Sequence, residues 1–283
     1  MEQTETLGQR QHTVRIGAVA DLHCSKNSQG QLQPLLARAA ERVDVLLLGG
    51  DLTDYGLPEE ALILARELSG VKVPLVGVLG NHDYESDKID QVRQILMDVG
   101  VRMLDGDSCE IHGIGIAGVK GFAGGFGRGT LGPWGEEVTK RFVHEAVDEA
   151  LKLETALARL RTPQRIALLH YSPIEATVVG EPREIFPFLG CGRLADPLSR
   201  YPVTAVFHGH AHRGSPEGKL GDGVPVYNVA LPLLHRLWPD RPPVRIIEVT
   251  VTEPPLHERA DGHSFSREPP ASALPERSPE ARG

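Results

Sequence analysis

The sequence has 283 residues, a formal net charge of −8, 40% hydrophobic residues and 24% charged residues. This balance is that of an ordinary globular protein with a sizeable core, and the acidic surplus argues against general binding to a nucleic-acid backbone, although it leaves a local basic groove open. The cysteines Cys24, Cys109 and Cys191 are isolated and form no CxxC pair, so neither a disulfide framework nor a thiolate zinc site is predicted.

Both ends of the chain are expected to lie outside the folded domain. Residues 1–13 are polar and lack an apolar signal core, so they are predicted to be a flexible N-terminus. Residues 253–283 are rich in proline, glutamate, arginine and serine, which predicts a disordered tail. No apolar run approaches the ~18 residues that span a bilayer. A single domain over 14–252 and a cytoplasmic location are therefore expected.

Predicted strands and helices alternate along the first hundred residues. The apolar stretch 14–20 predicts a strand, 31–43 carries apolar residues at helical spacing, and 45–48 predicts a second, buried strand. A helix over 58–68, a strand over 74–79 and a helix over 86–99 follow. This alternation is typical of an α/β fold, in which ligands gather at the carboxyl ends of the strands.

The second half of the chain is predicted to hold shorter strands and one long helix. Short strands are expected over 108–119, where the letters of GxGxxG occur, but the segment 121–135 is too rich in glycine to open a helix, so a dinucleotide site is rejected. That segment is predicted to be a mobile loop near the site, with a loop without function as the alternative. An amphipathic helix over 136–161 precedes strands at 165–169, 203–207, 224–229 and 244–251.

Side chains that can bind metals follow five of the predicted strands. They are Asp21 with His23, Asp51, Asn81 with His82, His170, and His210 with His212. Each has a simpler explanation, because Asp51 could cap a helix, Asn81 could set a turn and His170 could be a hydrogen-bonded core residue. Coincidence at five strand ends is hard to accept. Oxygen and imidazole donors without thiolates suit Mn, Fe or Zn, and two ions sharing a carboxylate would use them all.

The ordered motifs Asp-x-His, Gly-Asp, Gly-Asn-His-Asp, His and Gly-His-x-His resemble those of the calcineurin-like metallophosphoesterases, over roughly residues 14–250. The resemblance implies an α/β sandwich of four layers, in which two facing mixed β-sheets are flanked by helices and a dinuclear metal site lies at the strand ends. It also implies a set of ligands: Asp21, His23 and His212 for one metal, Asn81, His170 and His210 for the other, and Asp51 as the bridge.

The same resemblance suggests how the chemistry is divided. A hydroxide that bridges the two ions would attack phosphorus in line with the leaving oxygen. His82 matches the catalytic histidine of the family; it would contact the phosphate together with Asn81 and protonate the leaving alkoxide. Asp83 is expected to orient the imidazole of His82. Thr53 and Asp54 are weaker candidates for supporting residues, and Cys24 and His208 are expected to be structural neighbours.

The first functional hypothesis is a metal-dependent phosphodiesterase for a small substrate such as a cyclic nucleotide. It rests on resemblance to short, single-domain bacterial-type relatives with the same motif forms, and manganese or iron is favoured over zinc. The alternatives are a phosphomonoesterase of the same fold and a non-catalytic scaffold for a protein partner. The acidic charge and the lack of a coiled-coil insertion disfavour a nuclease. No membrane partner is expected, and a homodimer is left open.

Overall fold

The computed structural model of the protein describes residues 11–221 and 223–252. Within this part of the chain, eleven strands form two mixed β-sheets, one of five strands and one of six. The strands of the five-stranded sheet are β1 (Gln11–Val19), β2 (Val45–Gly49), β3 (Leu75–Val78), β4 (Val101–Met103) and β11 (Arg245–Thr252). Those of the six-stranded sheet are β5 (Asp107–Ile111), β6 (Ile114–Gly118), β7 (Gln164–Leu168), β8 (Ala205–His208), β9 (Glu217–Leu220) and β10 (Val224–Asn228).

Parallel strands form the centre of each sheet. The order in the five-stranded sheet is β11-β1-β2-β3-β4, and β1 to β4 pair in parallel. The order in the six-stranded sheet is β5-β6-β7-β8-β10-β9, where β6, β7, β8 and β10 are parallel and the edge strands β5 and β9 are antiparallel to their neighbours. The central strands of each sheet therefore end at one edge, which is where a parallel sheet presents its ligand-binding loops.

Seven α-helices accompany the sheets in the described residues. They are α1 (Gln33–Ala40), α2 (Pro58–Leu68), α3 (Ile89–Asp98), α4 (Glu137–Arg159), α5 (Phe186–Leu189), α6 (Ala195–Arg200) and α7 (Leu231–Leu237). Helix α2 begins where the sequence predicts it, because Pro58 needs no backbone hydrogen bond in the first turn. The buried carboxylate of Glu60 accepts hydrogen bonds from the amides of Tyr55 and Leu57, which satisfies donors at that helix end.

Alternating side chains of the strands divide the interior into layers. On β2, Val45 and Leu47 belong to a cluster shared with Ile166 of β7, so they pack between the two sheets. Leu46 and Leu48 point the other way and pack against the layer formed by helices α1, α2 and α3. On the far side, a third cluster joins the six-stranded sheet to α4 and α6. The predicted fold of two facing sheets flanked by helices is confirmed.

The elements differ from the sequence-based predictions mainly at short segments. Strand β1 begins at Gln11, inside the segment 1–13 predicted to be flexible. It lies between β11 and β2 in the sheet, and the side chains of its first three residues are exposed, so the sequence there shows no apolar pattern. Strands β4 and β9 and the short helices α5, α6 and α7 were not predicted, since each is too brief to show a period. The predicted tail, 253–283, lies outside the described residues. None of the described helices is long and apolar enough to cross a membrane.

Candidate metal centre

The predicted ligands meet where the parallel strands of both sheets end. Asp21 and His23 follow β1, Asp51 follows β2, and Asn81 follows β3 in the five-stranded sheet. The other sheet contributes His170 after β7, and His210 and His212 after β8. Backbone hydrogen bonds join neighbouring loops, such as Asp21 N to Gly50 O at 2.9 Å and Gly209 N to His170 O at 3.1 Å.

Asp21, His23 and His212 form the first group of donors. Their potential ligand atoms all lie within 4.8 Å of one another. The Nε2 atom of His212 is 3.0 Å from Oδ1 of Asp21 and 3.4 Å from Nε2 of His23. This group matches the first ligand set implied by the resemblance.

Asp51, His170 and His210 form the second group, again within 4.8 Å. The Nε2 atom of His170 is 3.3 Å from Oδ1 of Asp51 and 3.0 Å from Oδ1 of Asn81. The second carboxylate oxygen of Asp51 lies 3.9 Å from Nε2 of His23, which belongs to the first group. Asp51 therefore stands between the two groups, in the position expected of a bridging carboxylate.

The backbone of the ligand loops has an uncommon conformation. Asp21, His23, Asp51 and His210 have positive φ angles of 57°, 42°, 48° and 69°, a region that non-glycine residues rarely occupy. Such conformations persist only where tertiary contacts hold them, and they tend to cluster at functional sites. A Cβ atom at Gly80 would collide with the Asp51 carboxylate, so the glycine of Gly-Asn-His-Asp allows two strand ends to approach closely.

Main-chain carbonyl groups orient three of the histidines. The Nδ1 atom of His170 donates to Gly49 O at 2.9 Å, Nδ1 of His82 donates to Asp54 O at 2.8 Å, and Nε2 of His210 donates to Phe188 O at 3.1 Å. A carbonyl oxygen can only accept, so each contact leaves the other ring nitrogen without that proton and available for a metal or a proton transfer. Sequence reasoning missed these supports, because a backbone acceptor has no residue signature.

Asp54 supports His23 through its side chain. Its Oδ1 atom lies 3.3 Å from Nδ1 of His23, so the imidazole can present Nε2 to the first group of donors. Asp54, His23 and His82 also form a third cluster of potential ligands, which shares His23 with the first group. The weaker prediction for Asp54 is therefore consistent with the geometry, and Asp54 reaches His82 through its carbonyl as well.

His82 lies beside the first group of donors, and Asp83 has a different role from the one predicted. The rings of His82 and His23 are edge to face, with centroids 4.6 Å apart. The buried Asp83 carboxylate accepts hydrogen bonds from the amides of Leu52, Thr53 and Gly80 and from the Thr53 hydroxyl at 2.6 Å. It therefore fixes the two ligand loops to each other, whereas the backbone of Asp54 orients His82. This corrects the sequence-based expectation for Asp83.

Charges within the centre depend on one another. Burial opposes ionisation of Asp51, but the neighbouring His170 keeps the pKa of that carboxyl well below its usual range. Burial lowers the pKa of His170, but the Asp51 carboxylate outweighs this effect and raises that pKa above its usual value. Burial, followed by the nearby His170, lowers the pKa of His210 to about 4. His210 is therefore a neutral imidazole near pH 7, as a metal ligand must be.

The donor set fits two transition-metal ions. Both groups consist of carboxylate and imidazole atoms, with an amide oxygen from Asn81 in the second, and the three described cysteines are buried outside both groups. The Nε2 atoms of His23 and His212 face each other at 3.4 Å, and a cation bound by both would lie between them. Asp21, His23 and His212 would hold one ion, Asn81, His170 and His210 the other, and Asp51 both.

Three remaining predictions concern neighbours of the centre. His208 is fully buried, and its Nε2 lies 2.8 Å from the Thr177 hydroxyl, away from both groups. Cys24 is also fully buried, and burial raises the pKa of its thiol to about 12. The glycine-rich segment predicted to be a mobile loop is hydrogen-bonded to the segment around α5, for example from Gly125 N to Gly190 O at 2.9 Å.

Facing sheets with two groups of potential metal ligands at their shared edge make a fold that can hold two metal ions. The model of the calcineurin-like phosphoesterase family matches residues 14–214, and the chain therefore belongs to this family, whose members depend on two metal ions. The family supports hydrolysis of phosphoric esters as the type of reaction. No curated protein sequence matches the chain.

Solved structures show the same fold at low sequence identity. The phosphopantetheinyl hydrolase of Mycobacterium tuberculosis is 17% identical, with a TM-score of 0.56 over 82% of this chain and 95% of that one. A putative 5'-nucleotidase from Staphylococcus aureus is 16% identical, with a TM-score of 0.50 over 86% of this chain and 53% of that one. A purple acid phosphatase from yellow lupin (Lupinus luteus) is 14% identical, with a TM-score of 0.50 over 78% and 44%.

Proposed function

We propose that the protein is a metal-dependent phosphodiesterase that acts on a small substrate. The observation that carries this proposal is the charge of the centre. Asp21, Asp51 and Asp54 surround it with carboxylates, and across residues 11–221 and 223–252 no lysine or arginine donates to the side chain of a predicted ligand. Two divalent cations would then leave a single net positive charge.

This charge suits a phosphodiester better than a phosphomonoester. A diester carries one negative charge near pH 7, whereas a monoester carries nearly two, because its second pKa is about 6. Binding a dianion at such a centre would leave excess negative charge in a site with a low dielectric constant, which is unfavourable. A diester brings one negative charge fewer than a monoester, so it is the less unfavourable of the two at a centre with few cationic side chains.

The side chains around the ions have separate tasks in this proposal. Two bound divalent ions would supply an activated water as nucleophile and positive charge for the phosphoryl oxygens. The Asn81 amide, close to His170, would help to hold the phosphate, and His82 would protonate the leaving oxygen. The Asp54 carbonyl fixes Nδ1 of His82 as a donor, so Nε2 is the nitrogen that exchanges the proton.

The names of the structural neighbours span several classes of phosphoric ester and do not favour diesters over monoesters. One neighbour is a phosphopantetheinyl hydrolase, one a putative 5'-nucleotidase and one a phosphatase. A fold with such different members does not determine the substrate of this chain. The charge argument supports diesters as a class, and cyclic nucleotides remain one hypothesis within it.

The experiment compares bis(p-nitrophenyl) phosphate with p-nitrophenyl phosphate, using protein stripped by chelator and reloaded with Mn. We expect metal-dependent turnover with a higher kcat/KM for the diester. His82→Ala should lower kcat by about a hundredfold or more, and the loss should be larger for a diester with a poorer leaving group such as phenol. His144→Ala, an exposed histidine on α4, is the matched control.

Two results would replace the proposal. Preference for the monoester would favour a phosphomonoesterase, in which the extra negative charge is met by groups other than those at the centre. Turnover of neither substrate by the Mn-loaded protein would favour a scaffold that uses the fold without catalysis. Equal losses in His82→Ala for good and poor leaving groups would leave hydrolysis intact but remove His82 as the proton donor.

A further inference from the structure

A cavity lies between the glycine-rich loop and the segment that leads into helix α5. Its volume is about 350 Å³. Besides three glycines of the loop, it is lined by Phe126, Arg128, Glu175, Arg183, Phe186 and Pro187. We call this cavity the arginine pocket.

The arginine pocket shares a wall with the metal centre. Phe126 and Phe186 pack against a small buried cluster that includes Ala211, the residue between His210 and His212. Phe188, next to the lining residue Pro187, accepts the hydrogen bond from Nε2 of His210 at 3.1 Å through its carbonyl. A substrate whose phosphorus lies at the metal centre would therefore have its neighbouring part close to this pocket.

Backbone hydrogen bonds hold the two sides of the arginine pocket together. Gly124 N donates to Pro187 O at 2.7 Å, and Gly125 N donates to Gly190 O at 2.9 Å. Gly125 has a φ of 84°, and a Cβ atom there would lie 2.6 Å from Gly129 O, so only glycine fits this turn. The cavity is thus a product of loop closure and is framed by main-chain contacts.

Two guanidinium groups in this pocket have no protein partner in the described residues. The side chains of Arg128 and Arg183 make no hydrogen bond and no ion pair within 11–221 and 223–252. Five other arginines of the described residues form ion pairs, among them Arg93 with Asp105 at 3.1 Å and Arg200 with Glu154 at 2.8 Å. A planar guanidinium matches phosphate and carboxylate groups in a bidentate manner, so two free ones in one pocket suit an anionic group.

We propose that the arginine pocket binds a second anionic group of the substrate, a phosphate, on the part of the molecule next to the scissile phosphorus. The proposal rests on the proposed function, because it extends the same site. Arg128 and Arg183 contact the phosphate, and Phe126 and Phe186 contact the apolar part between the two groups. The Glu175 carboxylate opposes the anion, so the pocket prefers one compact phosphate to a longer polyanion.

The kinetic test uses two substrates that differ by one phosphate. Thymidine 5'-(p-nitrophenyl phosphate) lacks a second phosphate, and its 3'-phosphorylated form carries one; both release p-nitrophenol. We expect the Mn-loaded protein to favour the 3'-phosphorylated form, and Arg128→Gln and Arg183→Gln to reduce the ratio of the two kcat/KM values by about tenfold each, as expected for a lost charged hydrogen bond.

Two further variants exclude a general effect of charge. Arg161→Gln removes an exposed guanidinium that lies before the amino end of β7, at the opposite end of the strand from His170, and should leave the ratio unchanged. Glu175→Gln removes the opposing carboxylate and should raise the ratio. Equal kcat/KM values for the two substrates in the wild type, or an equal loss of the ratio in Arg161→Gln, would overturn the proposal.

A binding measurement separates this proposal from the proposed function. Calorimetric titration of thymidine 3',5'-bisphosphate into chelator-treated protein needs no turnover, so it applies even if neither nucleotide is hydrolysed. Binding that weakens about tenfold in Arg183→Gln but not in Arg161→Gln supports the arginine pocket. Failure of the wild type to bind thymidine 3',5'-bisphosphate, or equal affinity in all variants, would overturn the pocket whether or not the enzyme hydrolyses diesters.

Discussion

At the scale of single residues, Asp83 connects the two loops that carry Asp51 and Asn81. Its fully buried carboxylate accepts from three amides and one hydroxyl, and these donors come from both loops. A buried donor that loses its partner costs about 1–3 kcal/mol, and a buried carboxylate binds such donors more strongly than a neutral group does. Asp83 therefore affects the shape of the metal centre without belonging to it.

Asp83→Asn is expected to lower the free energy of unfolding by about 3 kcal/mol, because an amide group cannot accept from all the donors. Urea denaturation of the chelated protein measures this change. Thr53→Val removes only the hydroxyl and should cost about 1–2 kcal/mol. Asp87→Asn, an exposed aspartate on the same loop, should stay within about 0.5 kcal/mol of the wild type. A similar effect of both aspartate variants would contradict the role of Asp83.

His208 makes the stability of the folded protein depend on pH. Burial lowers its pKa to about 4, whereas an unfolded histidine has a pKa of about 6.5. Because the folded-state pKa is the lower one, the stability that depends on the neutral ring is complete above pH 6.5 and is lost as the pH falls toward 4. The loss attributable to this residue is about 3 kcal/mol over that window.

The measurement is the free energy of unfolding of metal-free wild type and His208→Gln between pH 7 and 4. Gln does not titrate in this range, so the curve of the variant should fall less steeply, and the two curves should approach each other as the pH decreases. Parallel curves over the whole window would show that His208 is not held neutral by burial.

The residues of the centre differ in how well the sequence predicts them. Asp51, His170 and His210 could be predicted, because their side chains follow buried strands, and the resemblance then divided the ligands into two groups. The supports at Gly49, Asp54 and Phe188 act through carbonyl groups, which every residue has. The role of Asp83 was predicted incorrectly because its neighbour in the chain is His82, whereas three of its four donors come from the β2 loop.

At the scale of elements, the long helix α4 shows a clear separation of faces. Leu153 is fully buried in the cluster between the helix and the six-stranded sheet, and Leu151 is 53% exposed on the same helix. The period of the sequence predicted this helix to within two residues at each end, as Glu136–Arg161 against the observed Glu137–Arg159. Local spacing predicts which face of a helix is buried, but it does not predict which sheet that face covers.

Leu153→Ala should lower the free energy of unfolding by about 2–5 kcal/mol, because it creates a cavity in a packed cluster. Leu151→Ala makes the same chemical change at an exposed position and should stay within about 0.5 kcal/mol of the wild type. Thermal or urea unfolding of the two variants measures the difference. Similar losses in both would mean that the two sides of α4 are equally covered.

Short elements and sheet partners were harder to predict than long ones. Strand β9 and helix α5 span four residues each, too few to show a hydrophobic period. The second sheet was expected only from the family resemblance, because the pairing of β10 between β8 and β9 depends on contacts that no local pattern specifies. Missing helix α5 mattered most, because this helix carries the Phe188 carbonyl and one wall of the arginine pocket.

At the scale of the whole molecule, the candidate ligands come from both sheets. Asp21, His23, Asp51 and Asn81 belong to loops of the five-stranded sheet, and His170, His210 and His212 to loops of the six-stranded sheet. Ions held by these residues would therefore connect the two halves of the sandwich. A ligand that binds only the folded state stabilises it in proportion to the logarithm of its concentration over Kd.

Removal of metal should therefore lower the stability of the complete domain. With Mn at a hundredfold excess over its Kd, the gain for one site is about 2.7 kcal/mol, so chelation should lower Tm by several degrees. Differential scanning calorimetry with and without chelator measures this shift. Asp51→Asn, which alters the residue between the two groups, should reduce the shift; an unchanged shift would place the bound metal elsewhere.

The positive φ angles of Asp21, His23, Asp51 and His210 have a practical consequence for identifying the native metal. Hydrogen bonds among the loops, such as those from His210 N to both carboxylate oxygens of Asp21 at 3.0 Å, hold this backbone shape through protein groups alone. Because folding alone sets the shape of these loops, one purified batch can be stripped of metal and loaded in turn with manganese, iron or zinc without refolding. Metals can thus be ranked by affinity and turnover on the same molecules.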